Sequence, residues 1–232
     1  MSAGHAQVMA DCDAAVAGIE DGATLLIGGF GFAGMPFELI DAVIRQGATG
    51  LTIVSNNAGN GEIGIAALLA AGRVAKMICS FPRQVDSYVF DELYRAGKVD
   101  LELVPQGNLA ERMRAAGAGI GAFYCPTGVG TPLAEGKEER EINGRRYLLE
   151  YPLPGDYALI AAHQADVMGN LTYRKTARNF APVMAMAATT TVAQAGQVVP
   201  VGALDPETVA TPSIFVQRVV QVAAQRHLVQ GA

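Results

Sequence analysis

The chain has 232 residues, of which 50% are apolar and only 17% are charged, and its formal net charge at pH 7 is -5. An average globular protein is about 25% charged, so this composition favours a large core or a surface covered in an oligomer. No block of Lys and Arg provides the basic stripe that nucleic-acid binding needs, and no stretch reaches the about 18 apolar residues of a membrane span. We therefore expect a soluble, cytoplasmic α/β protein that binds neither nucleic acid nor membrane.

A strand that leads through a glycine-rich turn into a helix is the most informative feature of the N-terminal part. Residues 24–27 form an apolar, β-prone run, and Pro36 fits the first turn of the following helix. Glycine lets the backbone approach a ligand closely or adopt positive φ. The turn contains four glycines: Gly28, Gly29, Gly31 and Gly34. Such a turn can hold an acyl or phosphate group.

The chain then alternates between predicted strands and helices. Leu39, Ile40, Val43 and Ile44 recur at helical spacing, and Gly47 ends that helix. The next predicted elements are a strand at 51–54, a helix at 62–71, a strand at 74–79, a helix at 87–96, a strand at 99–104 and a helix at 109–116. Crossovers of this length predict an open, mostly parallel α/β sheet with helices on both faces and ligand loops at the C-terminal strand ends.

The second half begins with a predicted loop at 117–136, which contains six Gly and two Pro. Asn143 and Gly144 lie between two β-prone segments and are typical of a type I′ hairpin turn, so a small antiparallel subregion is predicted at about 117–156. The later predicted elements are strands at 157–162, 189–193 and 213–220, a helix at 179–188, and a loosely held tail over the last dozen residues. We expect one domain over 1–232 with its core at about 15–220.

The glycine turn also raises the possibility of a dinucleotide-binding fingerprint. Gly29, Gly31 and Gly34 occupy the first, second and last positions of GxGxxG. That fingerprint needs an acidic residue at the end of the next strand, about 20 residues further on, to hold the ribose. This chain has residues 55–57, Ser-Asn-Asn, at that point. A dehydrogenase is therefore disfavoured.

The three cysteines, Cys12, Cys79 and Cys125, are widely spaced and form no CxxC pair. We therefore expect neither a structural metal site nor a disulfide framework. Cys79 ends an apolar run and is predicted to be a small buried hydrophobe.

Five segments resemble the A subunits of the family I CoA-transferases, and together they extend over about residues 15–220. They are DGATLLIGGFGFAGMP at 21–36, SNNAGNGEIG at 55–64, SFPRQVDSYVFDELYRAGK at 80–98, PQGNLAER at 105–112 and NLTYRKTARNF at 170–180. The resemblance implies the fold of that family, which is related to the folds of sugar-phosphate isomerases and deaminases. It also implies a partner chain, the B subunit, in an A2B2 assembly.

The reaction implied by the resemblance is the transfer of CoA between two carboxylic acids through a glutamyl-CoA thioester. In the family the glutamate lies in a Ser-Glu-Asn-Gly stretch of the B subunit, and this chain has no such stretch. Its own candidates, Glu62 and Glu135, are expected to be solvated carboxylates. The implied donor is succinyl-CoA and the implied acceptor is 3-oxoadipate, with acetoacetate as the alternative. No metal or other cofactor is expected, because CoA is part of the substrate.

The resemblance also assigns site residues. Asn56 and Gln106 match positions that the family uses near the reactive carboxylate and acyl oxygen, where they would position groups and stabilise charge. The alternatives are Asx turns for Asn56 and Asn57 and a helix-entry role for Gln106. The CoA-binding segment implied by the resemblance is the whole turn: Gly28, Gly29, Phe30, Gly31, Phe32, Ala33 and Gly34.

A dicarboxylate acceptor needs a cation for its far carboxylate. Arg83 is the first candidate because it follows a predicted strand end, and Arg174, Lys175 and Arg178 are the others. Their alternative role is that of ordinary solvated surface cations. The TGVGT segment at 127–131 either lines the site or links the two subregions. Two other classes stay open: a self-contained sugar-phosphate isomerase or deaminase, and a non-catalytic binding module.

Overall fold

The computed structural model describes residues 6–226. Its strands are β1 (Gln7–Met9), β2 (Thr24–Ile27), β3 (Leu51–Asn57), β4 (Val74–Phe81), β5 (Asp100–Leu103), β6 (Phe123–Cys125), β7 (Glu139–Ile142), β8 (Arg145–Glu150), β9 (Gly155–Asp166), β10 (Leu171–Thr172), β11 (Ala188–Val199) and β12 (Arg218–Gln221). Its helices are α1 (Cys12–Val16), α2 (Phe37–Gln46), α3 (Ile65–Ala70), α4 (Tyr88–Arg95), α5 (Gln106–Gly117) and α6 (Ala181–Ala187).

A nine-stranded sheet forms the centre of the molecule, in the order β1-β12-β11-β9-β2-β3-β4-β5, with β10 paired to β9. All neighbours along this order run parallel, whereas β10 is antiparallel to β9. The predicted fold class, a mostly parallel α/β sheet with a small antiparallel part, is therefore confirmed. β2 lies in the middle of the sheet, so the glycine turn that follows it is near the centre of one edge.

Each face of the sheet is covered by its own hydrophobic cluster. Successive strand residues point to opposite faces, and in β2 the side chains of Leu25 and Ile27 belong to one cluster while Leu26 belongs to the other. The first cluster includes buried residues of α2 and α3, and the second includes residues of α5 and α6. Both faces of the predicted sheet thus carry helices, which explains why its central strands are apolar throughout.

The antiparallel subregion is a separate three-stranded sheet in the order β6-β8-β7. Asn143 and Gly144 join β7 to β8 with φ values of 53° and 75°, as a type I′ turn requires. The segment predicted to be loop-like, 117–136, is largely irregular, but β6 and a 3-10 turn at Pro132–Ala134 lie within it. β6 has only three residues and gains its order from pairing with β8, a contact that local sequence does not reveal.

Several other boundaries differ from the predictions. β1, α1 and β10 were missed because they have only three, five and two residues. β9 and β11 are twelve residues long; their Ala-rich segments have low β-propensity but pair with each other over most of their length. The predicted strand at 213–220 is a 3-10 turn followed by β12.

The prediction of a loosely held tail was wrong for residues 221–226. Gln225 is fully buried and donates a hydrogen bond from Nε2 to the carbonyl of Ala162 at 2.9 Å. Arg226 lies 3.2 Å from a carboxylate oxygen of Glu38 and 2.6 Å from one of Asp41. Gln225 is therefore held by β9 and Arg226 by the first turns of α2, and the remainder of the predicted tail lies outside the described residues.

Candidate active site

Polar residues meet where β3 and β4 end and α5 begins. The last three residues of β3, Ser55, Asn56 and Asn57, are all buried, although the earlier part of this strand is apolar. Gln106 is the first residue of α5 and directly follows β5 through a short connection. Because parallel strands end at the same edge of a sheet, these segments form one cluster beside the glycine turn.

The side chains of Asn56 and Gln106 contact each other directly. Gln106 Nε2 donates to Asn56 Oδ1 at 2.7 Å, and Ser80 Oγ donates to the same oxygen at 2.8 Å. Asn56 therefore joins three segments of the chain rather than forming an Asx turn. One amide proton of Gln106 is used in this contact, which leaves the other for a ligand. Within residues 6–226, no acceptor is bonded to Asn56 Nδ2.

Asn57 has a different role from its neighbour. Its Oδ1 accepts a hydrogen bond from the backbone N–H of Gly59 at 2.9 Å, which is the local Asx geometry. The alternative that the sequence left open for the asparagines is thus realised at Asn57. Asn56, in contrast, lines a cavity.

The glycine turn is a tight reversal closed by paired hydrogen bonds. The backbone N–H of Phe30 donates to the carbonyl of Ala33 at 3.0 Å, and the reverse bond is 3.2 Å. Gly34 has a φ of 75°, and a Cβ placed there would lie 2.4 Å from the carbonyl oxygen of Ala177. Phe32 packs against Phe37 at a centroid distance of 5.7 Å. Phe30, in contrast, is 52% exposed and stands at the cluster's edge.

Two adjoining cavities of about 360 and 380 Å³ share Phe30 and Gln106 as lining residues. The first is also lined by Asn56, Ser80, Phe81 and Gln84. The second continues along Gly107, Ala110, Asn179, Phe180 and Val183. Together they form a groove with neutral polar groups at one end and an apolar wall beyond, in the size range of small-ligand sites.

The groove contains hydrogen-bond donors but no nucleophilic carboxylate from the described part of the chain. Glu62 and Glu135 are exposed and line neither cavity, and Glu62 accepts a hydrogen bond from the hydroxyl of Tyr88 at 3.0 Å. Such a site can stabilise a developing oxyanion.

The sequence profile of the Coenzyme A transferase family matches residues 9–222, which is almost all of the chain. The chain belongs to the coenzyme A transferase family. It is 70% identical to the A subunit of 3-oxoadipate CoA-transferase from Pseudomonas putida over 209 residues, covering 90% of each chain. It is 46% identical to the A subunit of succinyl-CoA:3-ketoacid coenzyme A transferase from Helicobacter pylori, covering 92% of this chain and 91% of the relative.

Solved structures of the CoA-transferase family have the same fold. An acyl-CoA transferase of Escherichia coli, in a thioester complex with CoA, matches with a TM-score of 0.87 and 26% identity. The match covers 98% of this chain but only 52% of the other, so this chain spans about half the length of that enzyme. Glutaconate coenzyme A-transferase of Acidaminococcus fermentans, at 20% identity and a TM-score of 0.82, shares the fold.

The four cations predicted as candidates for binding the far carboxylate of a substrate fall into two groups in this CoA-transferase chain. Arg83 is paired with Asp91 at 2.6 Å and lines a separate hollow with Phe81, Pro82, Phe90, Tyr94 and Leu101. Arg174, Lys175 and Arg178 are exposed, and no carboxylate of residues 6–226 lies within 4.0 Å of them. Their segment directly precedes Asn179, which lines the groove. The role of Arg83 in substrate binding stays a prediction.

The buried thiol of the CoA-transferase chain lies apart from this chemistry. Cys79 is fully buried, as predicted, and burial raises its pKa to about 12, so it stays protonated at neutral pH. Cys79 lines neither cavity.

As far as the structure describes the chain, no helix has the length and apolar character needed to cross a membrane.

Asn179 is a site residue that the sequence predictions missed. It lies in the segment NLTYRKTARNF, which belongs to the family resemblance, but its spacing from the glycine turn gives no local signal. Asn179 Oδ1 accepts a hydrogen bond from the N–H of Gly29, 150 positions earlier in the chain. Only the folded arrangement reveals that contact.

Proposed function

We propose that this chain is the A subunit of a two-chain CoA-transferase that moves CoA from succinyl-CoA to 3-oxoadipate. The observation that carries the proposal is the 70% identity, over 90% of both chains, to the corresponding chain of that enzyme from Pseudomonas putida. The groove supports it, because Asn56 and Gln106 place amide donors together with no carboxylate from residues 6–226 beside them.

In the proposed reaction the nucleophile belongs to the B subunit, as the family resemblance implies. A glutamate carboxylate from the B subunit attacks the thioester carbonyl of succinyl-CoA, the CoA thiolate leaves, and a succinyl-glutamyl anhydride forms. The thiolate then attacks the glutamyl carbonyl, succinate leaves, and glutamyl-CoA remains. 3-Oxoadipate repeats the two steps in reverse order and departs as its CoA thioester. The energy of the acyl bond is kept throughout.

This chain contributes stabilisation of the charge that develops on oxygen in each step. Asn56 Nδ2 and the second amide proton of Gln106 are the available donors. They are held by the contacts of Asn56 Oδ1 to Gln106 and Ser80, so little reorganisation is needed when the oxyanion forms. The Gly28–Gly34 turn forms the neighbouring wall, against which we place the CoA thioester.

The acceptor is best matched by a dicarboxylate. The groove runs from the amides of Asn56 and Gln106 past apolar Phe180 and Val183. The exposed cations of the 174–178 segment directly precede Asn179 along the chain. One carboxylate of 3-oxoadipate would react at the amide end, its methylene groups would lie on the apolar wall, and its far carboxylate would meet a cation. Acetoacetate, the alternative acceptor, has no second carboxylate for that cation.

We further propose an A2B2 assembly in the cytoplasm, in which the B subunit covers the open side of the groove. The test is a succinyl-CoA transferase assay on this chain alone and mixed with its B partner, with 3-oxoadipate and acetoacetate compared. Activity only in the mixture and faster with 3-oxoadipate is expected. Faster reaction with acetoacetate would change the acceptor, whereas isomerase activity of the chain alone, or silence in every mixture, would contradict the proposal.

A further inference from the structure

Asn179 uses the full hydrogen-bonding capacity of its side chain on backbone groups. Its Oδ1 accepts from the N–H of Gly29 at 3.1 Å and from the N–H of Phe180 at 2.7 Å. Its Nδ2 donates to the carbonyls of Ala33 and Thr176, each at 2.9 Å. One side chain therefore connects both arms of the glycine turn to the 174–180 segment.

A second contact joins the same two segments without involving this side chain. Gly34 lies so close to the backbone of Ala177 that a Cβ on Gly34 would be 2.4 Å from the Ala177 carbonyl oxygen. The absence of a side chain at Gly34 therefore allows the approach that brings Asn179 to the turn. Lys175, in the same segment, has a φ of 52°, an uncommon conformation for a non-glycine residue that a well-packed surrounding has to maintain.

The position of Asn179 connects this packing to the site. It lines the 380 Å³ cavity together with Phe30 and Gln106, and Phe30 lies in the turn that Asn179 holds. A glycine-rich turn has more backbone freedom to lose than any other sequence, so two internal hydrogen bonds alone are a weak restraint on its shape.

We propose that Asn179 is a positioning residue, which fixes the glycine turn in the shape that binds the acyl-CoA thioester. This inference rests on the proposed function for its ligand, but not for the contact itself. Asn is the side chain that meets the geometry, because the turn presents a donor at Gly29 and an acceptor at Ala33. Asp would place two acceptors there, and Ala would satisfy neither group.

The first test measures the turn itself and needs no activity. Hydrogen exchange of the peptide covering residues 28–36 is compared in the wild type, Asn179→Ala and Asn170→Ala. Asn170 is the matched control, since it also bridges two segments, through Asp166 and Ser213, away from the groove. We expect faster exchange of this peptide only in Asn179→Ala. Equal exchange in all three proteins would overturn the proposal.

The second test measures kinetics in the complex with the B subunit. In Asn179→Ala the loss of the positioning contact is expected to lower kcat/KM for succinyl-CoA by about tenfold or more, mainly by raising KM. Asn179→Asp should show a similar loss in kcat/KM, because Asp cannot donate to the carbonyl of Ala33. Asn170→Ala should lower the melting temperature while leaving both kinetic constants unchanged. If Asn179→Ala changes only the melting temperature, its role is structural and the proposal fails.

A double-mutant cycle tests the link to Gly34. Gly34→Ala should displace the same segment, so its effect on kcat/KM and that of Asn179→Ala should be less than additive. If the effects of the two substitutions on kcat/KM are fully additive, the two contacts act independently, and the proposal is contradicted. If the wild-type complex transfers no CoA, the proposed function fails, and the exchange experiment still decides whether Asn179 holds the turn.

Discussion

Replacing Asn56 by alanine removes the acceptor shared by Ser80 Oγ and Gln106 Nε2, together with the available Nδ2 donor. Removal of one oxyanion donor typically costs about 10²- to 10³-fold in kcat. Asn56 is 2% exposed, and two lost hydrogen bonds at about 1 kcal/mol each predict a loss in unfolding free energy of about 2 kcal/mol. Gln106 also loses its restraint, so we expect the loss in kcat to lie toward the larger, about 10³-fold end of this range.

The assay is steady-state CoA transfer from succinyl-CoA to 3-oxoadipate by the complex with the B subunit. Asn57→Ala is the control, since Asn57 is equally buried and loses one hydrogen bond, that to Gly59. We expect Asn57→Ala to reduce stability with kcat within about threefold of wild type. Asn56→Ala and Gln106→Ala should be less than additive because their side chains touch. A kcat within about threefold of wild type in Asn56→Ala would show that Asn56 does not stabilise the oxyanion.

Individual contacts elsewhere in the chain give three further predictions. Arg174→Ala should raise KM for 3-oxoadipate, because the 174–178 segment is the proposed partner of the far carboxylate; a rise in KM in Arg83→Ala alone would contradict this and assign the role to Arg83. Burial would raise the pKa of Glu102, but hydrogen bonds from Arg112 and Lys76 outweigh it and hold the pKa below its usual 4.5. The stabilisation from ionised Glu102 is therefore present above pH 4.5 and is lost as the pH falls through the lowered pKa. Glu102→Gln should have a lower melting temperature than wild type at pH 7, and the difference should close in acid. A difference that does not change with pH would contradict this. Gly34→Ala should destabilise by more than about 1 kcal/mol, measured by urea unfolding, whereas Gly31→Ala, with open space around it, should cost less.

The parts of the site that follow strand ends were predictable from the sequence. The family resemblance singled out Asn56 and Gln106, and both follow predicted strands, whose C-terminal ends meet at one edge of a parallel sheet. The glycine turn is a local pattern that physical reasoning interprets directly. The family resemblance then added a partner and a reaction, which composition and periodicity do not provide.

The parts that depend on distant contacts were not predictable. Asn179 meets Gly29 across 150 positions, and Arg226 meets Glu38 across 188. Neither contact leaves a periodic signal in its own segment. The lengths of β9 and β11 were underestimated for the same reason, since their alanines become strand residues only because each strand pairs with the other.

In the proposed reaction this chain stabilises charge, whereas the covalent nucleophile belongs to its partner. The most direct test is the intact mass of both chains after the complex is incubated with succinyl-CoA in the absence of an acceptor and then quenched. We predict a CoA adduct on the partner chain and none on this chain, with the adduct lost on addition of 3-oxoadipate. An adduct on Glu62, Glu135 or any other residue of this chain would contradict the account.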